Sequence, residues 1–283
     1  MRKLLFLALI AVTTVALAQE SKAPNDVPNI RGTMPTPSGG PDAFGYIFAD
    51  STTGLCDANF IDITSSGTSV VSGDDNGAAV NLPGPSLDFY GETVTDIAMT
   101  TNGYLSTDPA DTGPDLSGDC PLPAVPSSGS GGRYYPLQDD LITADGLFEY
   151  FASCPRPSGA VLGEGCYVFQ WNGVEHFGGD GTTFSFQAVL YDTSWAITYQ
   201  YNAGNPEGGS GSTTGIQNLL ADVGTTYACD EPMPVQNDGA VCMFHPDFPY
   251  GVTEAVPTFS SWGTVTLVLL LALIAGFVVR SRA

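Results

Sequence analysis

Phe184-Ser185-Phe186-Gln187-Ala188-Val189-Leu190-Tyr191-Asp192-Thr193-Ser194-Trp195-Ala196-Ile197-Thr198-Tyr199-Gln200-Tyr201 reads as two strands and the turn between them. Phe184, Phe186, Ala188 and Leu190 recur at every second position, so in an extended chain they share one face. Asp192-Thr193-Ser194 supplies turn residues, after which Trp195, Ile197, Tyr199 and Tyr201 resume the same alternation. A period of two rather than 3.6 makes this a β-hairpin with an apolar face turned toward a core.

The same pattern spreads outward. Phe60 to Thr64, Ser86 to Tyr90, Val94 to Thr101, Tyr104 to Thr107, Leu147 to Ala152, Tyr167 to Val174 and Thr213 to Leu219 are further strand candidates. Asn102-Gly103 stands where a two-residue type I′ hairpin loop would, because both central residues of that turn need positive φ. No amphipathic helical pattern of useful length interrupts them. Many short strands between turn residues, with 15 Phe, 12 Tyr and 3 Trp in the chain, predict an all-β, antiparallel β-sandwich ectodomain over residues 44–250. Residues 19–43 are rich in Pro, Gly, Ser and Asn without apolar periodicity and read as a flexible leader.

Both ends carry targeting signals. Met1-Arg2-Lys3, the apolar stretch Leu4 to Leu17 and Ala16-Leu17-Ala18 form a signal peptide over residues 1–18, to be handled by the Sec translocon and signal peptidase. Near the other end, Thr264 to Val279 carries no charge and as a helix covers roughly 24 Å, enough with Trp262-Gly263 to cross a bilayer. Trp262 suits the interface and Arg280 and Arg282 the cytoplasmic side, which predicts a single C-terminal transmembrane helix with the ectodomain outside.

The chain holds 30 Asp and Glu against 8 Lys and Arg, for a formal net charge of −22. Between Gln19 and Val279 the only bases are Lys22, Arg31, Arg133 and Arg156, so no basic footprint exists for nucleic acid. All six cysteines lie in the exported part, where an oxidising compartment implies disulfides. Proximity in sequence suggests Cys154–Cys166 and Cys229–Cys242, leaving Cys56–Cys120. No C-x2-C pair is present and His176 and His245 are the only histidines, so no zinc site is expected and both histidines read as surface residues.

The tail, residues 256–283, resembles the IPTL-CTERM sorting signal of Gram-negative bacteria, which runs Ile-Pro-Thr-Leu-x-x-Trp-Gly before an apolar helix and a basic end. Pro257, Thr258, Trp262 and Gly263 match it; Val256 and Phe259 stand in place of Ile and Leu. The resemblance implies an exosortase-type membrane protease as partner, passage through the inner membrane, and a final place at the cell surface or outside. A second resemblance covers Phe44 to Leu220. Gly45-Tyr46 with Asp50-Ser51, Asp74-Asp75, Phe89-Tyr90-Gly91, Asn102-Gly103-Tyr104-Leu105, Asp139-Asp140-Leu141, Phe169-Gln170-Trp171, Phe184 to Tyr191 and Gly215-Ile216-Gln217-Asn218 follow in an order similar to the nidogen-type NIDO module. That likeness implies an extracellular β-sandwich of the kind found in surface proteins and secreted proteases.

For chemistry the sequence offers little. It has no G-x-S-x-G, H-E-x-x-H or P-loop, and no catalytic residue is assigned. Two carboxylates such as Glu149 and Glu175 could serve a glycosidase, and Trp171, Trp195 and Tyr199 could form an aromatic row for extracellular polysaccharide. Asp108, Asp111, Asp115 and Asp119, spaced among Gly and Pro, offer oxygen ligands for calcium, with Asp74-Asp75-Asn76 and Asp139-Asp140 as further clusters; solvated, turn-forming carboxylates are the competing reading. The function expected is that of an exported, non-enzymatic surface or matrix protein, adhesive or structural, with a carbohydrate-binding module or carbohydrate-active enzyme as the alternative.

Overall fold

The computed structural model describes residues 36–248; the signal peptide and the whole tail, including Val256, Pro257, Thr258, Phe259, Trp262 and Gly263, lie outside the described residues. Sixteen strands follow in order: β1 (Ser38–Gly39), β2 (Ile47–Asp50), β3 (Thr68–Asp74), β4 (Gly77–Asn81), β5 (Leu87–Phe89), β6 (Glu92–Val94), β7 (Asp96–Thr100), β8 (Leu105–Ser106), β9 (Arg133–Gln138), β10 (Leu141–Phe151), β11 (Cys166–His176), β12 (Phe184–Tyr191), β13 (Ile197–Tyr201), β14 (Thr213–Gln217), β15 (Gly224–Cys229) and β16 (Ala240–Phe244). Eight form one antiparallel sheet in the order β1-β2-β16-β13-β12-β11-β10-β3, six form the second, β15-β14-β9-β8-β7-β4, and β5-β6 is a separate hairpin. Among the described residues the only helical turns are two short 3-10 turns, and no helix is long and apolar enough to cross a membrane.

The hairpin expected from Phe184 to Tyr201 is β12–β13, paired from Leu190 opposite Ile197 to Phe186 opposite Tyr201. Phe184, Phe186, Ala188, Leu190, Ile197, Tyr199 and Tyr201 all enter the main core between the sheets. Buried tyrosine and tryptophan need partners for their polar tips, and these are found across the layers. Tyr199 donates to the Gly215 carbonyl at 2.9 Å, Tyr201 to Pro136 at 2.7 Å and Trp171 Nε1 to Thr100 at 2.7 Å.

The outer face of the larger sheet is also buried, which the alternation did not foretell. Val168, Val189, Tyr191 and Ala196 pack there against Cys56, Ile61 and Ile63. Phe60 to Thr64 is therefore not a strand: the segment crosses the sheet and bonds to side chains instead of backbone. Gln200, Gln187 and Gln170, on adjacent strands β13, β12 and β11, accept from the amides of Asn59 (2.7 Å), Ile61 (3.1 Å) and Ile63 (2.9 Å), and Gln187 donates back to the Ile61 carbonyl at 2.9 Å. A primary amide presents the same donor and acceptor as a peptide group, so three glutamines act as a short substitute strand. Arg156 seals the same cover, donating to the Asp57 carbonyl at 2.6 Å, Tyr191 Oη at 2.7 Å and Thr198 Oγ1 at 3.1 Å.

Three further expectations are corrected. The ordered chain begins before Phe44, because β1 pairs with β2, Ser38 opposite Ala49. Asn102-Gly103 is not a two-residue type I′ turn: Ala98 faces Ser106 and Met99 faces Leu105, Thr100 N donates to Tyr104 O at 3.2 Å, and only Gly103 has positive φ, at 74°. A three-residue loop closed by a left-handed glycine results. Gly103 is also obligatory for space, since a Cβ there would lie 2.0 Å from the Leu137 carbonyl oxygen. The cysteines pair as Cys154–Cys166, Cys56–Cys242 and Cys120–Cys229. Cys229 cannot meet Cys242 because they sit in different sheets, on β15 and β16. Each is reached instead by a cysteine from a long connection.

Candidate functional site

Strand β9 is a six-residue strand, about 20 Å long, with a group of acids beyond each end. At its start stands Arg133, fully buried beneath the 107–132 connection that carries the four aspartates singled out for calcium. Three converge, but on the guanidinium: Nε lies 2.9 Å from Asp111 Oδ2, and Nη1 lies 2.6 Å from Asp115 Oδ2 and 3.1 Å from Asp119 Oδ2. Asp108 is apart, its Oδ1 accepting from Ala110 N at 2.9 Å. The cation among these carboxylates is thus an arginine, with the Tyr104 ring 4.1 Å from its central carbon and Tyr135 Oη donating to Asp119 at 3.0 Å. Burial, and then the neighbouring Asp115 charge, push Asp119 up to about 6 against the pull of Arg133.

Beyond the other end of β9, five connections meet: β3–β4, β7–β8, β9–β10, β11–β12 and β13–β14. Asn102 ties three of them. Its Oδ1 accepts from Leu141 N at 3.2 Å, its Nδ2 donates to Asp75 at 3.0 Å and its carbonyl accepts from Asp139 N at 3.3 Å. The Asp74-Asp75 and Asp139-Asp140 pairs, separate in sequence, are drawn together here. Asp74, Asp75 and Asp140 place carboxylate oxygens within 4.8 Å of one another, and Asp139, His176 and Glu207 form a second such set. Burial and Asp75 raise Asp74 above the ordinary carboxylate range.

His176 is buried, not a surface residue. Its Nδ1 lies 3.1 Å from Asp139 Oδ2 and 3.7 Å from Glu207 Oε2, and its Nε2 lies 2.9 Å from Asn205 Oδ1. Burial pushes its pKa down, but the bond and charge of Asp139, with Asn205 and Glu207, outweigh burial and leave it raised. Beside it opens a cavity of about 180 Å³ lined by Glu175, His176, Asp180, Thr182, Pro206 and Glu207. His245 is buried as well, among the rings of Phe44, Tyr46 and Trp195, and burial lowers its pKa.

The fold does not bring together the carboxylate pair or the aromatic row raised by the sequence. Ser212 Oγ reaches Asp139 at 3.4 Å rather than the imidazole, so no serine–histidine relay forms there. Glu149 pairs with Val168 and Glu175 with Ile142, seven residues apart along β10, about 24 Å, well beyond glycosidase reach. Trp171 and Tyr199 are fully buried and Trp195 packs edge-on against His245 and Phe248, so these three make no exposed row.

A protein-family profile described as NIDO related matches residues 46–241, from the residue before β2 into β16. The chain belongs to the NIDO-related family. Comparison with curated proteins and with solved structures gives no match. The NIDO-related region reaches past Leu220, where the sequence likeness ended, to take in β15 and the first two residues of β16. Within this NIDO-related sandwich, Asn205 and Glu207 were the site residues that sequence reasoning missed. They lie in a Gly-rich connection with no period, and only the fold brings them to His176.

Proposed function

We propose that this chain is an exported, non-enzymatic protein of the cell surface or extracellular matrix, in which the NIDO-related sandwich is the displayed part. The observation that carries the reading is the family match over residues 46–241, an extracellular type of module, joined to three disulfides suited to an oxidising compartment. Adhesion or a structural role suits a scaffold whose large aromatics are spent on its core and whose surface is strongly acidic.

Delivery would follow from the two ends. The signal peptide directs Sec export and cleavage. The Pro257-Thr258 and Trp262-Gly263 signal, presented by the apolar run and held by Arg280 and Arg282, then serves an exosortase-type protease in the inner membrane. Replacing Pro257 and Thr258 by alanine leaves the hydropathy and basic end unchanged. The double variant should therefore insert normally yet stay uncut, on immunoblots of fractionated cells, while the wild-type chain is shortened and leaves that membrane. Wild-type protein found only as an uncut inner-membrane species would refute sorting and leave a plain anchor.

A further inference from the structure

We propose that the Arg133 end of the sandwich is its membrane-facing end: while the tail is held in the bilayer, aliphatic side chains on the loops at that end dock into the headgroup region of the same membrane. This rests on the reading of Thr264 to Val279 as a span and adds which way the ectodomain faces. Six large apolar side chains stand exposed among the described residues, and four of them, Val125 (82%), Leu162 (87%), Leu219 (47%) and Leu220 (74%), lie on connections at this one end. Phe151 opposes Cys166 and Cys166 opposes Tyr191, so the β10–β11 connection that carries Leu162 lies beside the β12–β13 turn. Gln217 opposes both Arg133 and Gly224, which places Leu219-Leu220, in the β14–β15 turn, next to the start of β9. Val125 follows Ala124, whose amide donates to Gln217 Oε1 at 2.8 Å and whose carbonyl accepts from Gln217 Nε2 at 2.9 Å. The two sheets share this end, because Asp42 accepts from Thr225 Oγ1 of β15 at 3.2 Å and from Tyr46 N, one residue before β2, at 3.0 Å.

The loops are closed by other groups. Asn218 Oδ1 accepts from the amides of Asp222 and Val223, each at 3.1 Å, so the β14–β15 turn forms without either leucine side chain. The Cys154–Cys166 disulfide and the Glu164 carboxylate, which accepts from Ser194 N at 2.8 Å, fix the β10–β11 connection on both sides of Leu162. Leucines held at loop tips in water add nothing to the core, and such a grouping marks a surface that meets apolar matter.

The course of the chain identifies that matter as the bilayer. β16 ends at Phe244, opposite Ile47, and Phe248 packs against Trp195 of the β12–β13 turn, so the described chain departs from this same end. Trp262 follows after residues 249–261, a stretch that can reach at most about 45 Å. β11 runs 11 residues along the sandwich, roughly 36 Å, so turning the opposite end to the membrane would use most of that reach. The exit end is kept near the surface at high effective concentration, where a few aliphatic tips suffice. Arg133 and Arg156, the Lys or Arg among the described residues, are buried, whereas Asp222 and Asp247 are exposed at this end. The contact is therefore apolar and suits zwitterionic rather than anionic lipid. The cavity beside His176 then points away from the membrane.

The test uses the full chain in phosphatidylcholine vesicles. All six cysteines are paired, so a thiol-reactive NBD dye reports on one introduced cysteine. On Leu220→Cys its emission should shift to the blue and be quenched roughly twofold or more by nitroxide-labelled lipid. On Phe177→Cys, exposed at the opposite end, it should stay water-like and unquenched. Leu219→Ser combined with Leu220→Ser should lower the quenching of a dye on Leu162→Cys by about half, with the melting temperature unchanged because the leucines are exposed. Resistance to carbonate extraction reports the span separately. A chain extracted by carbonate would overturn the reading of the tail and this proposal with it. A water-like dye on Leu220→Cys in vesicles that retain the chain would overturn this proposal alone. So would equal quenching on Phe177→Cys, quenching on Leu162→Cys unmoved by the two serines, or a blue shift without lipid quenching, which would assign the patch to a second copy of the chain.

Discussion

Both ends of β9 gather acids, three at one and five at the other, and they differ in the cation that faces them. At the Arg133 end the cation is part of the chain: three aspartates meet one guanidinium, a tyrosine ring lies beside it, and all five side chains are buried. At the Asp139 end the described residues bring a histidine and a cavity open to solvent, and no Lys or Arg among them. A run of aspartates in a sequence therefore does not announce a metal site or its absence. What decides is whether the fold delivers an arginine to it, and here that depends on a strand that begins 14 to 22 residues beyond the aspartates.

Removing the arginine should break the comparison most violently. Arg133→Met leaves Asp111, Asp115 and Asp119 buried with no counter-charge, a loss of about 3–5 kcal/mol or more, enough to unfold a marginal domain. Combining it with the three Asp→Asn changes should recover part of the loss in denaturant titration, whereas no recovery would mean that the guanidinium matters through packing rather than charge. Next in size is the disulfide that ties the connection carrying those aspartates to β15. Cys120–Cys229 closes a separation of 109 residues, and replacing both by alanine should cost roughly 2–4 kcal/mol. The loss should exceed that for Cys154–Cys166, whose separation is 12, in paired melting curves.

The hairpin at Phe184 to Tyr201 was legible because alternation survives wherever one face carries the larger residues. Strand β9 was not, because Arg133 to Gln138 are buried on both faces and so show no period. Pro136 within it argues against a central strand, yet it sits where Pro136 and Leu137 oppose the single residue Thr214, a bulge at which the ladder is already broken. Phe60 to Thr64 showed the converse failure: an extended, apolar segment with the composition of a strand whose hydrogen bonds go to glutamine side chains. Of the site, Asp74-Asp75 and Asp139-Asp140 could be read in advance as acid pairs. Their meeting could not, since it depends on Asn102 linking three turns.

A smaller effect separates the two ends by pH. Asp119 is held at about 6, so the folded state binds its proton more tightly than the unfolded chain does. Its contribution is fully present below the unfolded carboxylate range and is lost as pH rises through about 6. Stability should therefore increase from neutral pH toward about pH 4.5. Asp119→Asn, which keeps an oxygen for Arg133 and Tyr135, should flatten that rise by roughly 1–2 kcal/mol in chemical denaturation at the two pH values. An unaltered slope would mean that another group supplies it.

The least perturbing change lies at the acidic end. Asp74 is exposed, and its pKa is raised by partial burial and by Asp75 beside it, so at neutral pH its charge opposes its neighbour rather than completing a pair. By the same sign rule, whatever it contributes when protonated is already lost at neutral pH. Asp74→Asn should leave stability unchanged or raise it by at most about 0.5 kcal/mol, and the gain should shrink in high salt as the repulsion is screened. The contrast with Arg133→Met is then a measure of how differently the two ends are built. A loss above about 1 kcal/mol on Asp74→Asn, together with calcium stabilising the wild type but not the variant, would show that Asp74, Asp75 and Asp140 depend on a cation.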